Sequence, residues 1–156
     1  MTCVLLRRLW PSVAKHQQSY RSGFRSFANL PEDVQTAEWV SEVTSSQLRS
    51  MLSKRDLQLF DVRNPDEFKA GRIPHAVNMP LDALEESLKM SPESFQQRFQ
   101  VRAPAKDDDN IVFHCFSGRR SAKALDIARK MGFNRARHYK GGYSEWAEQE
   151  RKNSAS

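Results

Sequence analysis

The fold is decided by the stretch Ile111-Val112-Phe113-His114-Cys115-Phe116-Ser117-Gly118-Arg119-Arg120-Ser121. Its apolar beginning predicts a short buried strand over 111–114, which delivers Cys115 to the carboxyl end of that strand. The turn over 116–118 passes into a helix that begins near Arg119 or Arg120. A strand that leads directly into a helix is typical of α/β proteins with a largely parallel sheet. Because ligands of such sheets bind beyond the carboxyl ends of the strands, we expect the functional site at Cys115.

Strand and helix patterns alternate on both sides of this stretch. Further strands are predicted at residues 40–43, 57–62, 76–78 and 136–139. Further helices are predicted after a cap at Thr44 or Ser45, from Asn64 to near Gly71, from Ser91 to about Gln100, and around Trp146. Two of these helices start with a cap residue followed by proline, which is typical of a helix N terminus. We therefore predict one α/β domain over 41–150, followed by a disordered tail at 151–156.

The positive charge of the chain is concentrated at its N terminus. Residues 1–30 carry five basic side chains and no acid, whereas residues 31–156 carry 20 basic and 19 acidic side chains. The domain is therefore almost neutral, and we expect no nucleic-acid partner. Arg7 and Arg8 lie among apolar residues, which predicts a mitochondrial transit peptide over 1–30, a linker over 31–40 and a location in the matrix. No run of about 18 apolar residues occurs, so we expect no membrane-spanning helix and no membrane partner.

The cysteine content points to a single thiol in the domain. Cys3 lies in the predicted transit peptide, so Cys115 has no partner for an internal disulfide. A lone cysteine is commonly a buried apolar residue, but a turn containing Gly118 can aim backbone N–H groups at the sulfur. The helix N terminus and the charges of Arg119 and Arg120 also favour the thiolate. We expect the thiol pKa to fall from ~8.5 toward ~6–7, which makes Cys115 a candidate nucleophile.

Three motifs carry a family resemblance. They are Asp61-Val62-Arg63 with Glu67-Phe68 and residues 71–80, the loop over 115–121, and Gly141-Gly142-Tyr143-Ser144-Glu145-Trp146. In this order they resemble the single-domain rhodaneses, a family of sulfurtransferases, over roughly residues 40–150. Within the family, the sequence is similar to the thiosulfate:glutathione sulfurtransferase-like members. The resemblance implies a five-stranded, mainly parallel sheet with helices on both faces.

The resemblance also implies a reaction in two halves. The thiolate of Cys115 attacks the outer sulfur of thiosulfate, or takes sulfur from a persulfide donor, and forms a persulfide. A thiol such as glutathione, or cyanide, then removes that sulfur. The intermediate is covalent, so we expect no cofactor. His75 and His138 lie far from any cluster of acids or cysteines at metal-ligand spacing, so we expect no zinc site. The resemblance also leaves open that another protein accepts the sulfur and is a further partner.

We assign the site residues from this loop. Arg119 and Arg120 are candidates for binding the sulfonate end of the donor, although one of them can instead anchor the loop by facing a carboxylate elsewhere. The other expected substrate-binding residues are Phe116, Ser117, Gly118 and Ser121. We expect Asp61 and Arg63 to be structural residues that pair near the loop.

Two other functions stay open at this point. Phosphatases of the Cys-loop-Arg type also start their loop with His-Cys, but they would have the arginine at position 121, where this chain has Ser121. A loop that is one residue shorter suits a single sulfur atom better than a tetrahedral phosphate. A persulfide carrier or binding module without turnover shares the persulfide step with the enzyme, and the sequence separates these two poorly.

Overall fold

The computed structural model describes residues 40–155. The predicted transit peptide, the linker up to residue 39 and Cys3 lie outside the described residues. The strands are β1 Glu42–Val43, β2 Gln58–Asp61, β3 Val77–Asn78, β4 Ile111–His114 and β5 Arg137–Tyr139. The helices are α1 Ser45–Lys54, α2 Pro65–Ala70, α3 Leu81–Leu88, α4 Pro92–Phe99, α5 Arg119–Lys130 and α6 Gly142–Ser154. Among the described helices, none is long and apolar enough to cross a membrane.

The strands form one five-stranded sheet in the order β1-β5-β4-β2-β3. Every pairing is parallel. The strand β4 therefore lies in the middle of the sheet, and all four of its residues are buried. The predicted α/β class with a mainly parallel sheet is confirmed.

Helices cover both faces of this sheet, as the family resemblance implies. Side chains alternate along β4, so Phe113 joins the apolar cluster beneath α3, α4 and α5. Val112 joins the opposite cluster, which contains Leu48 of α1 and Trp146 of α6. All four side chains are nearly or completely buried, and each contributes on the order of 2 kcal/mol by leaving water.

Local signals start the helices where the sequence predicts them. Thr44 accepts a hydrogen bond from the N–H of Gln47, and Gln47 accepts one from the N–H of Thr44, so α1 begins with a capping box. Ser91 caps α4 through the N–H of Ser94. Pro65 occupies the first turn of α2, where its missing N–H leaves no donor unpaired.

The helix α3 is absent from the sequence-based prediction. Its N-cap residue is Pro80, which makes no side-chain cap hydrogen bond, so the cap pattern that reveals α2 and α4 gives no signal here. Leu81, Leu84 and Leu88 nevertheless repeat with the spacing of one helical face, and they contact the cluster on the α5 side. The apolar spacing would have revealed this helix without a cap.

The expected disordered tail over 151–156 is wrong over most of its length, because α6 continues to Ser154. Glu148 forms ion pairs with Arg151 and Lys152, one helical turn further along. The hydroxyl of Ser154 donates to the carbonyl of Glu150. Pairs at this spacing stabilise the last turns of a helix, which the polar composition of the segment does not reveal.

Candidate active site

The carboxyl ends of the three central strands meet at one edge of the sheet. Asp61 of β2 is paired in register with His114 of β4, and His114 is paired with Tyr139 of β5. Cys115 follows β4 directly and is 1% exposed. The thiol therefore lies at the edge where the sequence predicts the site.

The Cys115 sulfur lies in a cradle of hydrogen-bond donors. The N–H of Gly118 donates to Sγ at 3.1 Å, and the hydroxyl oxygen of Ser121 lies 3.7 Å from Sγ. Burial raises the pKa of the thiol, but hydrogen bonds from Ser121, Ser117 and Gly118 together lower it by more, so the net pKa lies below its ordinary value. The direction agrees with the expected one, and the largest lowering contributions come from hydrogen bonds rather than from the arginine charges.

Gly118 allows the loop to turn this tightly. It has φ +90°, in the left-handed region that favours glycine, and it is the N-cap residue of α5. A Cβ at this position would clash with the carbonyl oxygen of Lys140 in the connection between β5 and α6. The loop thus depends on a close approach between two backbone segments.

The start of α6 holds the outer side of the same loop. The N–H of Tyr143 donates to the carbonyl of Cys115 at 2.8 Å, and the N–H of Ser144 donates to the carbonyl of Phe116 at 3.1 Å. Gly142 has φ +62°, and a Cβ there would lie 2.5 and 2.6 Å from these two carbonyl oxygens. With its carbonyls bonded to α6, the loop keeps its N–H groups for the sulfur.

The two arginines of the loop have different surroundings. Arg120 donates two hydrogen bonds to the carboxylate of Glu67, at 2.7 and 2.8 Å. Arg120 lowers the pKa of Glu67 to about 2, and Glu67 raises the pKa of Arg120. Of the two alternatives left open by the sequence, the structure places Arg120 as the arginine that anchors the loop to a carboxylate.

Glu67 is a site residue that sequence reasoning missed. It lies in the first turn of α2, where an acid is expected to stabilise the helix start, and it accepts the N–H of Asn64 in that role. Its second role, as partner of Arg120, comes from another element. The signal for it was the expectation that one loop arginine would need a distant carboxylate.

The outward residues of the loop are Phe116, Ser117 and Arg119. All three are exposed, and Phe116 keeps 49% of its surface accessible. Within residues 40–155, Arg119 forms no salt bridge, whereas Arg120 forms one with Glu67. Arg119 is therefore the loop guanidinium that remains available to an incoming anion.

Asp61 and Arg63 form a buried ion pair beside the loop. Both side chains are at most 2% exposed, and two nitrogens of Arg63 contact the carboxylate at 2.7 to 3.0 Å. Arg63 also donates to the carbonyl of Gly71 at 2.7 Å, and its guanidinium lies 4.3 Å from the ring centre of Tyr143. The pair thus ties the end of β2 to α2 and to the start of α6, which holds the loop.

His114 connects this pair to the loop. Its Nε2 lies 3.6 Å from Asp61, and its Nδ1 lies 3.4 Å from the carbonyl oxygen of Cys115. Burial lowers the pKa of His114 to about 4, and the nearby carboxylate of Asp61 only partly offsets this effect. The imidazole is therefore neutral near pH 7.

A parallel five-stranded sheet with a buried cysteine in a cradle of N–H groups at the end of its central strand defines a rhodanese-type α/β protein. The family model for the rhodanese-like domain matches residues 44–149. The chain belongs to this family, and its activity is that of a sulfurtransferase.

Three curated relatives show how far the similarity extends. Thiosulfate sulfurtransferase/rhodanese-like domain-containing protein 3 of Mus musculus is 45% identical over 105 residues, 67% of this chain and 66% of the mouse protein. Thiosulfate:glutathione sulfurtransferase of Homo sapiens is 42% identical over 108 residues, 69% of this chain and 94% of the human protein. A putative mitochondrial thiosulfate sulfurtransferase of Schizosaccharomyces pombe is 42% identical over 90 residues, 58% of this chain and 63% of the yeast protein.

The fold matches a solved relative as well. The human single-domain sulfurtransferase TSTD1 superposes with a TM-score of 0.68 at 40% sequence identity, over 70% of this chain and 96% of the human chain. These findings confirm the resemblance to single-domain rhodaneses. They do not favour the phosphatase alternative.

Proposed function

We propose that this sulfurtransferase moves the outer sulfur of thiosulfate to a small thiol such as glutathione through a persulfide on Cys115. The observation that carries the proposal is the N–H of Gly118 at 3.1 Å from the buried Cys115 sulfur. An anionic sulfur is stabilised by such a donor, both as the thiolate and after it has gained a second sulfur. The names of the human and mouse relatives support thiosulfate as donor, and the human name supports glutathione as acceptor.

The reaction balances without a cofactor. The Cys115 thiolate bonds to the outer sulfur of thiosulfate, the sulfur–sulfur bond of thiosulfate breaks, and sulfite leaves with that electron pair. An acceptor thiolate then bonds to the outer sulfur of the persulfide, and Cys115 leaves as the thiolate. The charge is conserved in each half, and the cysteine carries the sulfur between them.

Arg119 and Arg120 have different proposed roles. Arg119, exposed on the first turn of α5, attracts the sulfonate end of thiosulfate through its guanidinium. Arg120 keeps the loop in place through Glu67 and is a positioning residue. Asp61 and Arg63 support the opposite side of the loop through Tyr143.

We base the proposed mitochondrial location on the predicted transit peptide. Residues 1–30 have the basic, acid-free composition of a mitochondrial transit peptide, and the Schizosaccharomyces pombe relative is named as mitochondrial. We expect a fusion of residues 1–40 to a fluorescent reporter to enter the matrix, and a reporter that stays diffuse in the cytosol would contradict this location.

Intact-mass measurement after incubation with thiosulfate tests the reaction. We expect the full chain to gain one sulfur atom and to lose it on addition of glutathione. Cys115→Ser should gain none, and Cys3→Ser should behave as the wild type. Repeated sulfite release per protein molecule is expected of an enzyme, whereas a single release would indicate a carrier. Turnover retained by folded Cys115→Ser would overturn the proposal.

A further inference from the structure

A chain of hydrogen-bonded side chains lies behind the Cys115 sulfur. The hydroxyl oxygen of Ser121 lies 3.7 Å from Cys115 Sγ and 3.1 Å from Nδ1 of His138. Ser121 is fully buried, and His138 is 7% exposed. Ser121 belongs to the first turn of α5 and His138 to β5, so the chain links the helix to the sheet beneath the cysteine.

We propose that Ser121 and His138 are positioning residues for sulfur transfer. Nδ1 of His138 donates a hydrogen bond to the oxygen of Ser121, which leaves the hydroxyl proton of Ser121 for the sulfur of Cys115. This inference rests on the proposed role of Cys115 as the nucleophile.

The donors and acceptors around Ser121 support this direction. In the structure the Ser121 hydroxyl donates to the carbonyl oxygen of Gly118 at 3.1 Å, and ionisation of Cys115 draws the same proton toward the sulfur. A carbonyl and a thiolate only accept hydrogen bonds, so the single hydroxyl proton is available to these two. If Nδ1 of His138 carried no proton, the hydroxyl would turn toward it, and the buried sulfur would lose a donor. A protonated Nδ1 instead donates a hydrogen bond to the hydroxyl oxygen, and the hydroxyl proton then stays free to point toward the sulfur.

The surroundings of His138 decide its charge. Burial lowers its pKa, and the cations Lys140 and Arg129 lower it further. Glu42 on β1 and Asp126 on α5 act in the opposite direction without offsetting the burial. The ring is therefore neutral near pH 7, and a neutral imidazole donates from one nitrogen only. The tautomer thus decides whether the neighbouring hydroxyl receives or gives a hydrogen bond.

A hydroxyl donor behind Sγ acts in both halves of the reaction. In the first half it stabilises the Cys115 thiolate before the attack on the donor. In the second half the sulfur–sulfur bond of the persulfide breaks, and Cys115 leaves with the electron pair as the same thiolate. A better stabilised leaving group speeds this second step.

The pH dependence of Cys115 alkylation by iodoacetamide tests the pair, measured on the Cys115 peptide of the full chain. Ser121→Ala and His138→Leu should each move the midpoint upward by about one pH unit, or tenfold in thiolate fraction near pH 7. His138→Asn, whose amide nitrogen can donate from the same side, should retain most of the wild-type midpoint. Because Ser121→Ala removes a single oxygen, it tests the proposal even if His138→Leu fails to fold.

A matched control is Ser87→Ala. Ser87 is fully buried on α3, and its hydroxyl has no hydrogen-bond partner among the described residues. This variant should keep the wild-type midpoint. An unchanged midpoint in folded Ser121→Ala would overturn the proposal, and equal effects of His138→Asn and His138→Leu would overturn the donor role of His138.

Single-turnover kinetics separates positioning from a purely structural role. At a pH where the thiol is ionised in both proteins, Ser121→Ala should form the persulfide at the wild-type rate or faster, because a more basic thiolate is more nucleophilic. Discharge of the persulfide to glutathione should stay slower than in the wild type, and equal discharge rates would contradict the leaving-group role. The alkylation midpoint tests the role of Ser121 and His138, whereas the loss of sulfur transfer in Cys115→Ser tests the nucleophile. An unchanged midpoint would therefore overturn the role of the pair without overturning the role of Cys115.

Discussion

Arg120 and Glu67 lie 53 residues apart in the chain, and their side chains form two hydrogen bonds, at 2.7 and 2.8 Å. This pair fixes the start of α5 against the start of α2. The active-site loop lies between β4 and α5, so the pair restricts one end of the loop without touching the sulfur. One loop arginine is thereby used for structure, and Arg119 is the one to which we assign the proposed contact with the substrate.

Glu67→Gln should lower kcat/KM for thiosulfate about tenfold, because a neutral amide holds Arg120 less firmly and the loop loses part of its orientation. Both side chains are 34% exposed, so solvent screens the pair and the loss of stability should be only about 1 kcal/mol. Steady-state kinetics and urea unfolding measure the two effects.

A matched control for this variant is Glu85→Gln, which breaks the exposed pair of Glu85 with Lys89 on α3. It should leave kcat/KM unchanged. The folded pKa of Glu67 is depressed to about 2, so the pair stabilises above pH ~4.5 and its contribution is lost as the pH falls toward 2. The stability difference between the wild type and Glu67→Gln should shrink over that range; a constant difference would argue against the pair.

Arg119→Gln should raise KM for thiosulfate about tenfold, because the variant lacks the guanidinium that attracts the sulfonate. The effect on an uncharged persulfide donor should be much smaller. Lys123→Gln removes an exposed cation from the same helix and serves as the charge-matched control. Equal changes with both donors would exclude Arg119 as the anion-binding residue.

Gly142→Ala should abolish most activity, because the new Cβ would collide with the loop carbonyls of Cys115 and Phe116. The positive φ adds about 1–2 kcal/mol of backbone strain. Gly132→Ala is the control: Gly132 also has positive φ, but its Cβ would meet only the flexible end of Lys106. Both variants should lose stability in thermal unfolding, and only Gly142→Ala should lose sulfite release. Full activity in Gly142→Ala would show that the loop does not need α6.

His114 should make the protein sensitive to mild acid. Its folded pKa, about 4, lies below the ordinary value of 6.5, so the unfolded chain binds the proton first. The contribution is fully present above pH 6.5 and is lost as the pH falls toward 4, by about 3 kcal/mol in total. Unfolding by urea at a series of pH values should therefore show a smaller slope over this window for His114→Asn than for the wild type.

The control for this prediction is His75→Asn. His75 is exposed and has φ +63°, a backbone conformation that asparagine tolerates. Its slope should match that of the wild type. Identical slopes in the wild type and in His114→Asn would show that the histidine is not held neutral.

Most of the secondary structure could be predicted because its signals are local. Caps at Thr44, Asn64 and Ser91 lie within three residues of the groups that they serve, so spacing in the sequence reveals them. The N-cap residue of α3, Pro80, makes no side-chain cap hydrogen bond, and the last turns of α6 consist of polar residues without an apolar repeat. Neither element gives the local signal on which the prediction depended.

The sequence by itself determined that a strand ends immediately before Cys115, that a glycine turn follows, and that two arginines begin the next helix. These features depend on neighbouring residues and on the parallel order of strands and helices. Only the tertiary structure decided that Glu67 forms an ion pair with Arg120 and that N–H groups of α6 donate to the loop carbonyls. It also decided that His138 lies within hydrogen-bond distance of Ser121. Such partners come from separate elements, and which side chains meet is set by how helices stack on the sheet rather than by spacing along the chain.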